Sequence, residues 1–204
     1  MGQRTEARRL AILEAAKHVF LERGYGDASM AEIAARAGGS KPTLYGYFRS
    51  KEDLFVAVMV ERGAALIEPV FDAFEAHSDL TTALTALARE LVRFLADPES
   101  LAFRRIICSE GARSSLGRTF YESGPKRGWT RVADRFSQAM ATSEMRPADP
   151  WRATHQFRAL CEAGPIQGLL EGSVSSITDH DLKVAADGAV EVFTRAYTVD
   201  REGR

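Results

Sequence analysis

The chain has 204 residues, 45% of them hydrophobic and 27% charged, with a formal net charge of −1, which excludes a wholly disordered chain and leaves room for a sizeable core. The charge is uneven: residues 1–52 hold nine Lys and Arg against six Asp and Glu, and the remainder holds 18 against 22. Local positive charge of this kind suits a phosphate backbone even when the whole chain is slightly acidic. The two cysteines, Cys108 and Cys161, have no CxxC or CxxH spacing, so neither a zinc site nor a disulfide framework is indicated. No apolar run is long enough for a signal segment or a membrane span, and Glu6 stands where myristoylation needs Ser or Thr. The expectation is a cytoplasmic chain without a lipid anchor.

In chain order, Ile12, Ala15, Ala16, Val19 and Phe20 repeat at helical spacing and predict a first helix over 5–23, ended by Gly24. Ser29-Met30-Ala31-Glu32 has the form of a capping box and opens a short helix with Met30, Ile33, Ala34 and Ala37 on one side. Gly38 ends that helix, and Ser40 caps the next, where Pro42 is tolerated in the first turn. Ser50-Lys51-Glu52-Asp53 is a third start signal. Further helices are predicted near 51–76, 80–96, 98–110, 125–143, 150–171 and 178–198, with a break or kink at Gly164-Pro165. No strand alternation is evident, so the fold class is all-α: a three-helix N-terminal domain over 1–52 and a larger helical domain over 53–204.

The third helix carries the functional signal. Leu44 and Phe48 share one face, whereas Pro42 and Gly46 centre the opposite one, flanked by Thr43 and Tyr45 with Lys41 and Tyr47 at its margins. A small, hydrogen-bonding outward face, with a glycine that permits close approach, is what a duplex major groove demands of a recognition helix. Ser29 and Lys51, at the starts of their helices, are candidates for flanking phosphates. A polar-faced surface helix with packed tyrosines is the competing interpretation of the spacing alone.

The string Met30-Ala31-Glu32-Ile33-Ala34-Ala35-Arg36-Ala37-Gly38, then Ser40, Leu44-Tyr45-Gly46-Tyr47-Phe48 and Lys51-Glu52-Asp53-Leu54, resembles the N-terminal domain of the TetR family of transcriptional regulators over residues 8–58. One departure is Gly39, where the family usually has Val or Ile, so an apolar peg between the short helices is missing. The resemblance implies base-edge contacts from Lys41, Pro42, Thr43, Tyr45 and Gly46, and phosphate contacts from Ser29, Tyr47 and Lys51. The segment from Phe103 to Arg127, with Phe120-Tyr121-Glu122-Ser123-Gly124-Pro125, is similar to the AefR-type branch.

The same resemblance implies a regulator, commonly a repressor, that binds double-stranded DNA as a homodimer on a palindromic site and is released by a small-molecule effector. Phe74, Leu91, Phe94, Phe103, Ile107, Phe120, Trp129 and Phe136 are then candidates to line an effector cavity, although a place in the core is the favoured reading for each taken alone. Phe157, Leu160, Cys161, Gly164, Gly168, Ala185, Ala189, Val192 and Phe193 are candidates for the dimer interface. Two alternative classes stand beside this one. A thiol-based redox regulator would use Cys108 or Cys161. An all-helical enzyme has little support, because His18, His77, His155 and His180 are dispersed and no catalytic, cofactor or metal motif accompanies them.

Overall fold

The computed structural model describes residues 2–111 and 114–199, except the side chains of 2–4 and 64–66. The sequence expectations for Met1, for residues 112–113 and for the last five positions lie outside the described residues. Among the described residues the chain is all-α, with eleven helices and a single isolated antiparallel bridge, Met145 to Thr198. The helices are α1 (Gly2–Asp27), α2 (Met30–Arg36), α3 (Lys41–Tyr47), α4 (Lys51–Glu75), α5 (Leu80–Ala96) and α6 (Pro98–Glu110). They continue as α7 (Leu116–Ser123), α8 (Pro125–Ala141), α9 (Pro150–Glu162), α10 (Pro165–Glu171) and α11 (Asp179–Tyr197).

Two local features differ from the sequence expectation, and one expected break is present. Gly24 does adopt a non-helical conformation (φ 76°, ψ 171°), but the chain resumes a helical turn to Asp27, so α1 is kinked there. Helix α7 lies in a stretch that reads as glycine and serine punctuation; buried Leu116 and half-buried Phe120, one turn apart, give it an inward side. The break expected at Gly164-Pro165 divides 150–171 into α9 and α10. Gly164 (φ 65°, ψ −125°) stands outside helical geometry, and Pro165 occupies the first turn of α10, where its missing N–H has no intrahelical acceptor to lose.

The chain divides into two compact units: residues 1–64 with 102–124, and residues 65–101 with 125–204. Unit 1 therefore extends past the sequence-based boundary after residue 52, because Phe103 and Leu116 are part of its core. That core gathers Ile12, Val19, Phe20, Ile33, Leu44, Leu54, Phe55, Phe103 and Leu116, all essentially fully buried. Phe55 stands edge-on to Phe20 at 5.1 Å and to Phe103 at 5.7 Å between ring centroids.

Unit 2 packs α11 against α5 and α9, and α8 against α9. Helix α5 opens with Asp79, whose carboxylate accepts from Thr82 N at 2.7 Å, and it buries Leu80, Leu84, Leu87 and Leu91 along one side. Phe193 meets Phe136 and Phe157 with centroids 5.2 and 5.1 Å away, and Phe74 joins Phe136 at 6.4 Å. Gly128 lets α8 lie directly on Phe71: a Cβ there would fall 2.0 Å from the ring. On the surface, Arg131 donates to Asp72 at 2.9 Å and to Glu75 at 2.6 and 2.7 Å, and that guanidinium holds the Glu75 carboxyl below the usual carboxylate range.

Candidate nucleic-acid interface

Helices α2 and α3 have seven residues each, below the length at which an isolated helix persists in water, so their ends and one apolar side must be held from outside. Ser29, in extended geometry, caps α2 by accepting from Glu32 N at 3.1 Å. The reciprocal half of the expected capping box is replaced: the Glu32 carboxylate accepts from Arg23 Nε at 3.4 Å. Arg36, in the last turn of α2, forks onto Glu22 of α1 with two bonds of 2.8 Å, which lowers the Glu22 carboxyl from its ordinary value.

The turn into α3 begins at Gly38, whose φ of 68° is the left-handed region that favours glycine, and Gly39 N donates to Ala34 O at 2.9 Å. Ser40 then caps α3, accepting from Thr43 N at 3.3 Å, and its hydroxyl lies 2.8 Å from Thr43 Oγ1. Leu44 and Phe48 are buried in the unit 1 core, while Lys41, Pro42, Thr43, Tyr45 and Gly46 are exposed and Tyr47 is half-buried. The sequence-derived division of α3 into inward and outward faces therefore holds residue by residue. Tyr45 is 45% exposed, and nothing stands within 4 Å of a Cβ placed on Gly46, so the middle of this face is open.

Lys51 has a different place from the one expected. Its ammonium donates to Tyr25 O at 2.6 Å, Gly26 O at 3.1 Å and Ala28 O at 3.0 Å, and it sits 4.5 Å from the Tyr25 ring centroid. All three ammonium protons are thereby engaged on the segment between α1 and α2, so the side chain clamps this segment instead of reaching out to phosphate. The requirement for three unpaired carbonyls to converge on one cation left no mark in local sequence. Arg8 was also missed: its Nη1 donates to Ala37 O at the end of α2, at 2.8 Å.

The predicted effector residues are divided between the two units. Phe103, Ile107 and Phe120 belong to the apolar cluster of unit 1, whereas Phe74, Leu91, Phe94, Trp129 and Phe136 belong to unit 2. Phe74, Leu91, Phe103, Trp129 and Phe136 are buried; Phe94 is half-buried and borders an open groove with Glu90, Arg93 and Asp97.

Among the predicted interface residues, Phe157, Cys161, Gly168, Ala189 and Phe193 are buried inside unit 2 itself. Their apolar bulk is consumed by the chain's own packing, which corrects their assignment to a face open to a second copy. Leu160 and Ala185 are half-buried, and Gly164 and Val192 are exposed. Val184 and Val192, more than half exposed, lie two turns apart on α11 with Gly188 between them.

Burial also pushes the Cys161 thiol up to about 12, which keeps it protonated at neutral pH, so a thiol-switch reading would rest on exposed Cys108. Among the described residues no group of His, Cys, Asp and Glu is placed to hold a metal ion, and no helix is long and apolar enough to cross a membrane.

Two short capped helices crossing a glycine turn, the second with its apolar side inward and its polar side open, form a helix-turn-helix, the arrangement by which many transcriptional regulators read DNA. The chain belongs to the TetR family: residues 12–58 match the family model for bacterial regulatory proteins of the tetR family, and residues 82–199 match that of the AefR-like transcriptional repressor C-terminal domain.

A curated relative, the HTH-type transcriptional activator FasR of Mycolicibacterium smegmatis, is 39% identical over 101 residues, 50% of this chain and 46% of its own length. The chain spans about half the length of the first curated relatives it matches. Solved structures extend the likeness over nearly the whole chain. The flavonoid-responsive regulator FrrA is 30% identical with a TM-score of 0.77, covering 96% of this chain and 99% of the other. AibR, solved with isovaleryl coenzyme A and operator DNA, is 27% identical with a TM-score of 0.63, covering 91% and 97%.

Proposed function

We propose that this protein is a sequence-specific DNA-binding transcriptional regulator that reads a palindromic operator as a homodimer and leaves it when a small molecule binds. The observation that carries the reading is the outward face of α3, where Lys41, Pro42, Thr43, Tyr45 and Gly46 are exposed above buried Leu44 and Phe48. These groups supply a cation, a hydroxyl, a methyl and a phenol for base edges, while Tyr47 and the exposed Ser29 end of α2 lie at the margin for phosphates. Lys51 acts in this reading by holding the start of α2 in place, not by touching DNA.

Family membership and a relative crystallised on operator DNA support the assignment. Relatives that respond to a flavonoid or hold an acyl-coenzyme A support a small apolar or amphipathic effector. A second copy would meet the chain through the exposed Val184 and Val192 stripe of α11, and two-fold symmetry then sets two recognition helices on successive turns of the duplex.

The test is selection of duplexes from a random library at fixed salt. A palindromic motif supports the reading, and absence of enrichment across a range of salt counts against it. Thr43→Ala should change the selected sequence at one position in each half-site while leaving thermal stability close to wild type; an unchanged motif removes Thr43 from the base-reading set. Isovaleryl coenzyme A and a flavonoid are the first molecules to screen for release from the selected duplex.

A further inference from the structure

Two adjacent glycines form the turn before α3, and they are there for different reasons. Gly38 needs its conformation, with φ at 68°, whereas Gly39 is not among the positive-φ glycines, so its φ does not itself call for glycine. What Gly39 supplies is room. A Cβ on it would fall 2.1 Å from Arg8 Nη2 and 3.4 Å from Arg8 Cζ, with Ala34 O the next nearest atom at 3.9 Å. The space a side chain at position 39 would fill is already filled, by a guanidinium arriving from α1.

We propose that Arg8 is a positioning residue for the DNA-reading helix: its guanidinium, bonded to Ala37 O and lodged in the space left open at Gly39, fixes the turn from which α3 projects. The inference rests on the proposed DNA-binding reading and adds to it the residue that aims the helix.

Ala37 is the C-cap of α2, so the cation meets the negative end of that helix as well as an unpaired carbonyl. Helix α3 begins two residues after Gly39, with Ser40 as its cap, so a change in the turn changes the direction of all seven residues that follow. Arg8 is half-buried, and one arm of its fork is committed to Ala37 O. It therefore acts on DNA through the turn, not through a phosphate. Because the clashing atom is the end of a flexible side chain, a residue at 39 would not break the fold. It would push the guanidinium out and cost the bond to Ala37.

The test is a double-mutant cycle of Arg8→Ala and Gly39→Ala, read by thermal unfolding and by affinity for the selected duplex at several salt concentrations. Each single variant should bind about fivefold more weakly, the scale of one ordinary net hydrogen bond. The double variant should bind no more weakly than Arg8→Ala, because the second change removes nothing that remains. The slope of affinity against salt should stay at the wild-type value in all variants. Arg8→Lys combined with Gly39→Ala should recover part of the loss, since a lysine still reaches toward Ala37 O and the new methyl fills the vacated space.

Losses that multiply in the double variant overturn the inference. So does a salt slope lowered by about one in Arg8→Ala, which would move the guanidinium onto phosphate. Should Arg8→Ala fail to fold, Gly39→Ala decides alone, and wild-type melting and affinity in that variant overturn the proposal. If the wild-type protein selects no duplex, the DNA reading itself fails, while the melting cycle still reports whether Arg8 and Gly39 are coupled.

Discussion

Helices α2 and α3 in unit 1 have seven residues each and stay folded because polar side chains grip their ends: Ser29 and Ser40 at the starts, Arg8 at the end of α2, and Lys51 on the segment leading into it. Helices α8 and α11 in unit 2, with 17 and 19 residues, are long enough to lay whole apolar sides together and are held by aromatic bulk. The difference separates two consequences of substitution. In the short-helix region a lost hydrogen bond changes where a helix points; in the long-helix region a lost ring changes whether the unit stays folded.

The largest effect that tests this contrast is Phe193→Ala. Phe193 is fully buried and meets Phe136, Phe157 and Tyr197, so its truncation should cost about 3–5 kcal/mol, read as a large fall in urea midpoint. A loss below about 1 kcal/mol would mean that the aromatic group is not what holds unit 2.

Lys51→Met comes next. It removes three hydrogen bonds and leaves three carbonyls short of a donor, at about 1–3 kcal/mol. Duplex affinity should fall with the salt slope unchanged; a flatter slope at unchanged stability would return Lys51 to the phosphates.

The smallest effect is a pH dependence at α11. The Asp181 carboxylate accepts from Thr178 N and Thr178 Oγ1 at 2.8 and 2.7 Å, and these bonds lower its pKa from the ordinary 3.8. Its contribution is therefore present above that value and fades as pH falls through the lower folded one. Wild type and Asp181→Asn should differ in melting temperature at pH 7, and the difference should shrink as pH falls below the ordinary 3.8 and through the lowered folded value.

The all-α class, most helix positions and both faces of α3 were legible in sequence because each is written in local spacing: Leu44 and Phe48 one turn apart, Ser29 and Ser40 immediately ahead of their helices. What escaped depends on residues distant in the chain. Lys51 finds its acceptors 23–26 positions upstream, and Arg8 reaches Ala37 across 29 positions, so neither role has a local signature. Helix α7 escaped because its glycines outweighed Leu116 and Phe120. The interface assignment mistook core for surface at Phe157 and Phe193, since an apolar stripe shows that a side is buried without showing what buries it.

The presence of Phe103 and Leu116 in the core of unit 1 bears on the order in which the protein can be made. A ribosome delivers α1 to α3 first, but the residues that close their core lie beyond α5, in α6 and α7. During that interval Phe55 lacks the ring of Phe103 that later covers its edge, and the nascent reading head carries an unsealed apolar side. Synthesis must pass through part of the second unit before the first can close, and a chaperone that shields the emerging chain would meet the protein in that interval.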